Sequence, residues 1–280
     1  MREIAANTIR DHVSALCVDS NYTLGDDVAA ALKRALTVEE SACGRDILQQ
    51  IIDNADIARQ GVYPMCQDTG ATVVFMEIGQ DVHISGGLLE EAVTQGVRDG
   101  YAKGYLRKSM VQDPLRRVNS GDNTPPVLWS EIVAGDKIRL TVVPKGAGCE
   151  NMSKIAMLKP TEGYEGIEKF VLDSVKQSGG NSCPPLILGI GIGGSFEKAA
   201  WLAKKALLRQ VGNRNGDSFY DDMERKLLDK INNLGLGPMG LGGRVTALDV
   251  HIEVYPCHIA SLPVAINFQC HAARHGSVVI

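Results

Sequence analysis

Long hydrophobic runs are missing from this chain. No apolar stretch reaches the roughly 18–20 residues that crossing a bilayer requires, although 44% of the 280 residues are hydrophobic. The N-terminus, MREIAANTIRDHVSAL, places a polar residue every few positions and lacks the apolar core of a secretory signal. Charge of one sign is scarce as well. The 29 Lys and Arg against 33 Asp and Glu give a net charge of −4, and the two signs are interspersed. That argues against a nucleic-acid protein, which carries a basic patch or tail. There is no C-x-x-C pair, no internal repeat, no low-complexity tract and no clear linker. The cysteines number seven, an odd count in a chain without an export signal. A disulfide framework is therefore a poor reading; a soluble, cytosolic protein with reduced thiols, some of them metal ligands, is the expectation.

What is present is a chain long enough to bury a sizeable core and patterned for both helices and strands. Helical spacing of apolar residues predicts helices over 3–18, 26–36 and 44–59, the last ended by Gly61. Further helices are predicted near 87–103, 164–177, 195–209 and 219–233. Strands are predicted near 72–78, 186–190, 245–254 and 262–269. Residues 127–133 and 137–143 read as a hairpin turning at Gly135-Asp136. In strand 245–254, Leu248, Val250, Ile252 and Val254 fall on one face and Asp249, His251 and Glu253 on the other. The fold class is α+β, mixed α/β: an N-terminal helical layer followed by mixed sheets with flanking helices. We expect one domain over 1–280, with a helical subregion over 1–60 and an α/β region over 61–280.

The stretch Pro64-Met65-Cys66-Gln67-Asp68-Thr69-Gly70 is the first place to look for chemistry. It joins a helix to a strand, so a rigid scaffold can hold it where solvent reaches it. It offers a soft thiolate and, two residues on, a carboxylate. Cys183 and Cys270 share its context, each on a loop at a strand edge. Singly, each is the kind of cysteine that usually fills a core. Together, three such thiolates are what an iron–sulfur cluster with one open iron requires. Cys149 competes as a ligand, whereas Cys17 and Cys43 read as structural and Cys257 carries little weight. His258 stands out between Pro256 and Ser261, while His271 and His275, around Arg274, read as a charged C-terminal edge. Arg107 could clamp a carboxylate bidentately or simply be solvated. Gly189, Gly191 and Gly194 spell G-x-G-x-x-G between a strand and a helix. The acidic residue which that fingerprint wants is absent, since the following helix leads into the polar loop 210–218. A tight strand–helix turn is the better reading. The glycines of Gly235–Gly243 suggest a backbone pressed close to something.

Several segments, taken together and in order, resemble one family. They are Cys66-Gln-Asp-Thr-Gly70, Leu106-Arg107-Lys108-Ser109 with Asp113-Pro114, Asn119–Pro125, Lys145–Asn151, Cys183-Pro-Pro185, Gly235–Pro238, and His258 with Cys270–Arg274. They look like the α-type half of the class I, iron–sulfur fumarate hydratases, to which L-tartrate dehydratase α subunits are close relatives. The likeness runs from about residue 3 to the end. It departs at Cys149, where the family more often has serine, and at Ala147, where it has glycine.

The resemblance implies that Cys66, Cys183 and Cys270 hold a [4Fe–4S] cluster and that Cys149 does not. It implies that Gln67, Asp68, Arg107, His258 and the backbone around Gly148 face a small dicarboxylate, with Asp68 as proton donor to the departing oxygen. It also implies a separate β subunit carrying the proton-abstracting residue, hence a heteromer, and sensitivity to oxidants. Fumarate and malate are expected ahead of tartrate, because Gly79–His83 and His258–Ser261 are more fumarase-like. A non-catalytic iron–sulfur scaffold or sensor is the rival from another class; a nucleotide-binding protein is the third.

Overall fold

The structure, a computed structural model, describes residues 1–280. The chain opens with β1 (Arg2–Ala5) and the helices α1 (Ala6–Tyr22), α2 (Asp26–Val38) and α3 (Ala42–Arg59). There follow β2 (Ala71–Gly79), β3 (Val82–Ser85), α4 (Leu89–Lys103), β4 (Val127–Val133) and β5 (Ile138–Lys145). The single turn α5 (Ala147–Glu150) precedes β6 (Lys154–Leu158), α6 (Gly163–Ser178), β7 (Leu186–Gly193) and α7 (Phe196–Ala206). The last elements are α8 (Ser218–Asn232), β8 (Ala247–Tyr255), β9 (Leu262–Gln269) and β10 (Gly276–Val279). The α+β class is thus observed, with helices ahead of mixed sheets. No helix is long and apolar enough to cross a membrane. Packing divides the chain into two units: Met1–Leu24 with Ala55–Ala147 and Arg274–Ile280, and Gly25–Asn54 with Gly148–Ala273.

In the first unit a sheet of order β10-β5-β2-β4 carries α1 and α4. Val74 and Met76 of β2, with Leu140 and Val142 of β5, meet Ile9, Val13 and Cys17 of α1 and Val93, Val97 and Tyr101 of α4. Each such side chain, fully buried, contributes roughly 1.5–3 kcal/mol. The two helices run close because α4 carries glycine at the contacts. A Cβ on Gly96 would stand 2.6 Å from the Arg10 carbonyl oxygen, and one on Gly100 2.7 Å from that of Ser14.

Residues 127–133 and 138–145 are strands, but they do not form the expected hairpin. β2 lies between them, parallel to β4 and antiparallel to β5. The reason is burial. β2 is apolar on both faces and nearly all its residues are buried, so it takes the centre of the sheet, and the 134–137 connection spans it. Gly79, Gln80 and Asp81 donate their N–H groups to Lys137, Val133 and Gly135 across that connection.

The second unit is built on a sheet of order β6-β9-β7-β8. Every residue of β7 is buried, as a central strand covered on both faces must be. α7 lies on one face, and the strand's glycines are what let it. A Cβ on Gly189 would stand 2.0 Å from the Ala203 carbonyl oxygen, and one on Gly191 2.1 Å from that of Ala199. The G-x-G run therefore serves helix–sheet packing. The other face, with Leu188, Ile190, Val250 and Ile252, meets α6 and α8.

The polar face of β8 is not a solvent face. Asp249 and His251 are both fully buried. Asp249 Oδ2 accepts from Gly212 N–H (2.6 Å), Arg214 Nη2 (3.0 Å) and His251 Nε2 (3.2 Å), and His251 Nδ1 donates to the Ala206 carbonyl (3.2 Å). Burial alone would raise the Asp249 carboxyl. The hydrogen bond and charge of His251, the Gly212 N–H and the Arg214 charge outweigh it and hold the group below its ordinary value.

The glycine-rich 235–243 loop is indeed pressed against something. A Cβ on Gly240 would stand 2.5 Å from Gly180 Cα, and one on Gly243 2.5 Å from Glu39 Oε1. Glu39 is 3% exposed. Its carboxylate accepts four backbone N–H bonds, from Glu40 and Ser41 (2.9 and 2.8 Å) and from Arg244 and Val245 (2.9 and 2.8 Å). Burial pushes its carboxyl up, but these N–H groups together bring it below the usual glutamate value. The ionised form is therefore the one that stabilises the fold. That contribution is complete above about pH 4.3, the ordinary glutamate range, and fades as pH falls through the lower folded value. We expect Glu39→Gln to cost about 2 kcal/mol at neutral pH. In urea titrations the gap to the parent protein should narrow below about pH 4.

Candidate active site

The Pro64–Gly70 loop connects α3 to β2 in the first unit. Met65 is buried, Cys66 and Asp68 are half-buried and Gln67 is exposed. So the reactive side chains reach outward while the backbone beneath them is fixed. Three consecutive carbonyls, those of Asp68, Thr69 and Gly70, each accept a bond from a buried side chain. Arg274 Nη2 donates to Asp68 O (2.8 Å). The Tyr101 hydroxyl donates to Thr69 O (2.6 Å) and Gly70 O (3.0 Å). Asn123 Nδ2 donates to Gly70 O (3.1 Å). Burial pushes the Tyr101 hydroxyl well above the usual tyrosine value, so it keeps its proton and remains a donor. On the N-terminal side, Met65 N–H donates to Asn21 O (2.9 Å).

The Asp68 carboxylate is oriented by two N–H groups. Oδ1 accepts from Gly70 (3.0 Å) and Oδ2 from Ala147 (2.7 Å). Gly146 matters beside it, because a Cβ there would stand 3.3 Å from Oδ2. Gly70 matters for another reason. It has φ +79°, and a Cβ on it would stand 2.7 Å from the Lys145 nitrogen, so the loop can press onto β5 only with glycine there.

The same loop is tied to the segment carrying Arg107. The Thr69 hydroxyl donates to Arg107 O (2.8 Å), and Asn123 Oδ1 accepts from Ser109 N–H (2.7 Å) and Met110 N–H (3.3 Å). The Arg107 side chain is exposed. Within this unit the structure thus brings Cys66, Gln67, Asp68 and Arg107 together. The residues doing so, Asn21, Tyr101, Asn123 and Arg274, were not among the expected site residues. Of these, Asn123 had a usable signal, lying in the Asn119–Pro125 segment between a turn glycine and two prolines.

In the second unit Cys183 and Cys270 sit at one edge of the sheet. β7 and β9 are antiparallel neighbours with Ile187 opposite Gln269. Cys183 lies just before β7 and Cys270 just after β9, so both loops leave the sheet at the same edge. His271 joins the two loops: its N–H and its ring Nδ1 both donate to the Cys183 carbonyl (3.4 and 3.1 Å). Cys183 adopts a left-handed conformation (φ 54°, ψ 65°). Gln269 Nε2 lies 3.9 Å from Cys270 Sγ. Gly148, at the start of this unit's second stretch, stands over Asn181: a Cβ on it would be 3.6 Å from that residue's carbonyl oxygen.

His258 is not brought to that edge. It lies in the exposed turn joining β8 to β9, at the opposite end of β9 from Cys270. Eight residues of β9 intervene, about 25 Å of extended chain. There its Nδ1 accepts from Ala260 N–H (3.1 Å), which assigns the proton of a neutral ring to Nε2. His271 and Arg274, expected as a charged edge, are instead half-buried and buried.

The cysteines divide by environment. Cys17 and Cys149 are buried in the two cores, Cys43 and Cys257 are exposed, and Cys66, Cys183 and Cys270 are intermediate. Partly exposed thiols on fixed loops suit a metal cluster with solvent or substrate on one side; buried thiols in apolar packing do not. No three His, Cys, Asp or Glu side chains stand close enough to share a single ion. Thiolates of an iron–sulfur cluster need not share one, because each binds its own iron.

The family model for fumarate hydratase (fumerase) matches residues 10–279. The chain belongs to the fumarate hydratase family. A relative named "Putative L(+)-tartrate dehydratase subunit alpha" from Methanocaldococcus jannaschii is 44% identical over 272 residues, covering 95% of each chain. An L(+)-tartrate dehydratase subunit alpha from Escherichia coli K12 is 33% identical, covering all of this chain and 93% of its own. One from Escherichia coli UTI89 is 34% identical, covering 99% and 92%. The sequence resemblance to this family is therefore shown across nearly the whole chain.

For this fumarate hydratase family member, Asn123 is the joint between the Cys66 loop and the Arg107 segment. It is fully buried and makes three bonds that alanine cannot replace. We expect Asn123→Ala to lose about 2–3 kcal/mol in urea unfolding and to speed tryptic cleavage after Arg107 and Lys108. Cleavage at the parent rate would show that the segment is held by something else.

Proposed function

We propose that this chain is the cytosolic α subunit of an iron–sulfur hydro-lyase, active with a separate β subunit, that reversibly hydrates fumarate to malate. The observation that carries the reading is the Asp68 carboxylate, oriented by two N–H groups next to a half-buried thiol, on a loop whose backbone cannot drift. Family membership supports the reaction class. The subunit names of the relatives support a partner chain.

In this reading Cys66, Cys183 and Cys270 would hold a [4Fe–4S] cluster. When bound, its one iron without a cysteine supplies a Lewis acid that weakens the bond to a departing hydroxyl. The chain's own residues do the rest. Asp68, held by Gly70 and Ala147, acts in its protonated form: its carboxyl O–H passes a proton to the leaving hydroxyl, which departs as water, and the resulting carboxylate takes a proton back from water in the hydration direction. Gln67, exposed beside it, donates side-chain N–H groups to a substrate carboxylate. Arg107 presents a planar fork that matches a carboxylate in two parallel bonds. Gly148, with no side chain, lets a substrate approach the backbone. The proton lost from carbon goes to a base on the β subunit.

A second reading, L(+)-tartrate as substrate, is favoured by the names of the relatives. Tartrate carries one hydroxyl more than malate. A site built to hydrogen-bond that hydroxyl rejects the analogue lacking it by about 10⁴–10⁵-fold, whereas one that merely tolerates it discriminates far less. With the αβ complex assembled without oxygen, we expect kcat/KM for malate to exceed that for tartrate by at least about tenfold; the opposite ratio transfers the assignment to tartrate. A complex that shows cluster absorbance and turns over neither substrate would leave only the scaffold or sensor reading.

Substitutions separate the roles. Asp68→Asn should retain the cluster's visible absorbance and lower kcat by about 10²–10⁴-fold; unimpaired turnover would remove Asp68 from the role of acid. Cys183→Ser should lose the cluster, while Cys149→Ser, in the apolar core, should keep it. The reverse pair of outcomes would mean that Cys149 is the third thiolate.

A further inference from the structure

Arg274 belongs neither to the proposed cluster ligands nor to the proposed substrate contacts, yet the residue is only 2% exposed. Nη1 donates to Asn21 Oδ1 (3.0 Å) and Nη2 to the Asp68 carbonyl (2.8 Å). Nε, also buried, has no hydrogen-bond partner. Both acceptors are neutral oxygens. A buried cation that makes no ion pair and leaves a donor unused costs stability; a neutral residue of similar volume would cost less. Its presence therefore calls for a reason other than packing.

The geometry supplies one. Asn21 is itself fully buried. It is fixed to α1 by Nδ2 donating to Cys17 O (2.9 Å), and its own carbonyl accepts the Met65 N–H (2.9 Å). Arg274 and Asn21 thus form one unit that grips the loop at Met65 and at Asp68, on either side of Cys66. The guanidinium also lies beside the carboxylate. The place a Cβ would take on Gly146 is 3.5 Å from Arg274 Nη2 and 3.3 Å from Asp68 Oδ2. The Asp68–Thr69 peptide, whose oxygen Arg274 holds, directly follows the Cα that carries this side chain, and its rotation would swing the carboxylate.

We propose that Arg274 is a positioning residue for Asp68. It fixes the Asp68–Thr69 peptide and, with Asn21, the two flanks of Cys66, so that the carboxylate keeps its aim, and it places a fixed positive charge behind that carboxylate. The inference rests on the reading of Asp68 as the proton donor. A residue four positions after Cys270 in the chain thereby controls the aim of a side chain two positions after Cys66.

The test uses the αβ complex, assembled without oxygen, with Arg274→Gln and Arg274→Lys beside the parent. Arg274→Gln should keep the cluster's visible absorbance. It should lower kcat by about 10–100-fold, as small misplacements of a reacting group do, with KM changed less than about threefold. Arg274→Lys should recover part of the rate. Hydrogen exchange at the Met65 and Gly70 amides should quicken in Arg274→Gln. Parent-like kcat and exchange would overturn the proposal, as would a loss of cluster and fold that Arg274→Lys restores with wholly normal kinetics. If Arg274→Gln does not fold, Arg274→Lys decides: reduced kcat at unchanged KM supports the proposal, and unchanged kinetics overturn it. If the parent complex turns over neither malate nor tartrate, the functional reading fails by itself. The exchange rates at Met65 and Gly70 then still decide whether Arg274 holds the loop.

Discussion

The hydrogen bonds to the Asp68, Thr69 and Gly70 carbonyls set what the first unit can do. The donors come from α4, from the 119–125 segment and from the C-terminal stretch, and α1 holds Met65 from the other side. A loop that must expose a thiol and a carboxylate has few apolar contacts of its own to keep it in place. Buried donors from distant parts of the chain provide that order instead. Each one left unmatched would cost on the order of 1–3 kcal/mol, and local opening would break several at once. The α1–α4 packing beneath the loop, allowed by Gly96 and Gly100, is what keeps Tyr101 and Asn21 close enough to take part.

The second unit solves the same problem with strand register. Two loops far apart in sequence meet at one sheet edge because β7 and β9 are antiparallel, and His271 ties them through the Cys183 carbonyl. Cys183 is one of few non-glycine residues with positive φ, a conformation that costs about 1–2 kcal/mol and persists only where its surroundings insist on it. Gly180, which accepts the Cys183 N–H (3.0 Å), and Met239, which donates to Pro184 O (2.8 Å), are part of those surroundings. The Glu39 carboxylate in turn anchors the 244–245 end of the loop that carries Met239. The chain from a buried acid to a thiol's backbone is continuous within this unit.

Much of the fold was legible. The helices at 26–38 and 42–59 and the strands at 71–79 and 262–269 follow apolar periodicities that their own burial then enforces. The four-residue strands β1, β3 and β10, and the five-residue β6, were not found, because so few residues cannot display a period of two. The hairpin at Gly135-Asp136 failed for a different reason: turn chemistry is local, and the β2 strand that separates its arms is fifty residues upstream. Cys66, Cys183 and Cys270 could be singled out by their places at strand edges. Arg274 could not, because nothing in a sequence distinguishes a buried arginine from a solvated one. Asp249 and His251 illustrate the same limit, since alternation assigned them a face but not what covers it.

From sequence, Arg107 and His258 are the cations available to offset two carboxylates in a chain of net charge −4. Arg107 is an exposed cation on the segment tied to the Cys66 loop. Arg274 adds a positive charge in the same unit, but its Nη groups are engaged and it is buried. Two carboxylates held by one guanidinium would leave a full negative charge in a partly desolvated place, which is costly. Under the proposed reading, the second carboxylate is met by His258 or by a cation that comes with the β subunit; in the latter case the two chains share the substrate's charge. Binding of substrate and association of the two chains would then be linked: each should strengthen the other, because the second carboxylate finds its partner only when both are present.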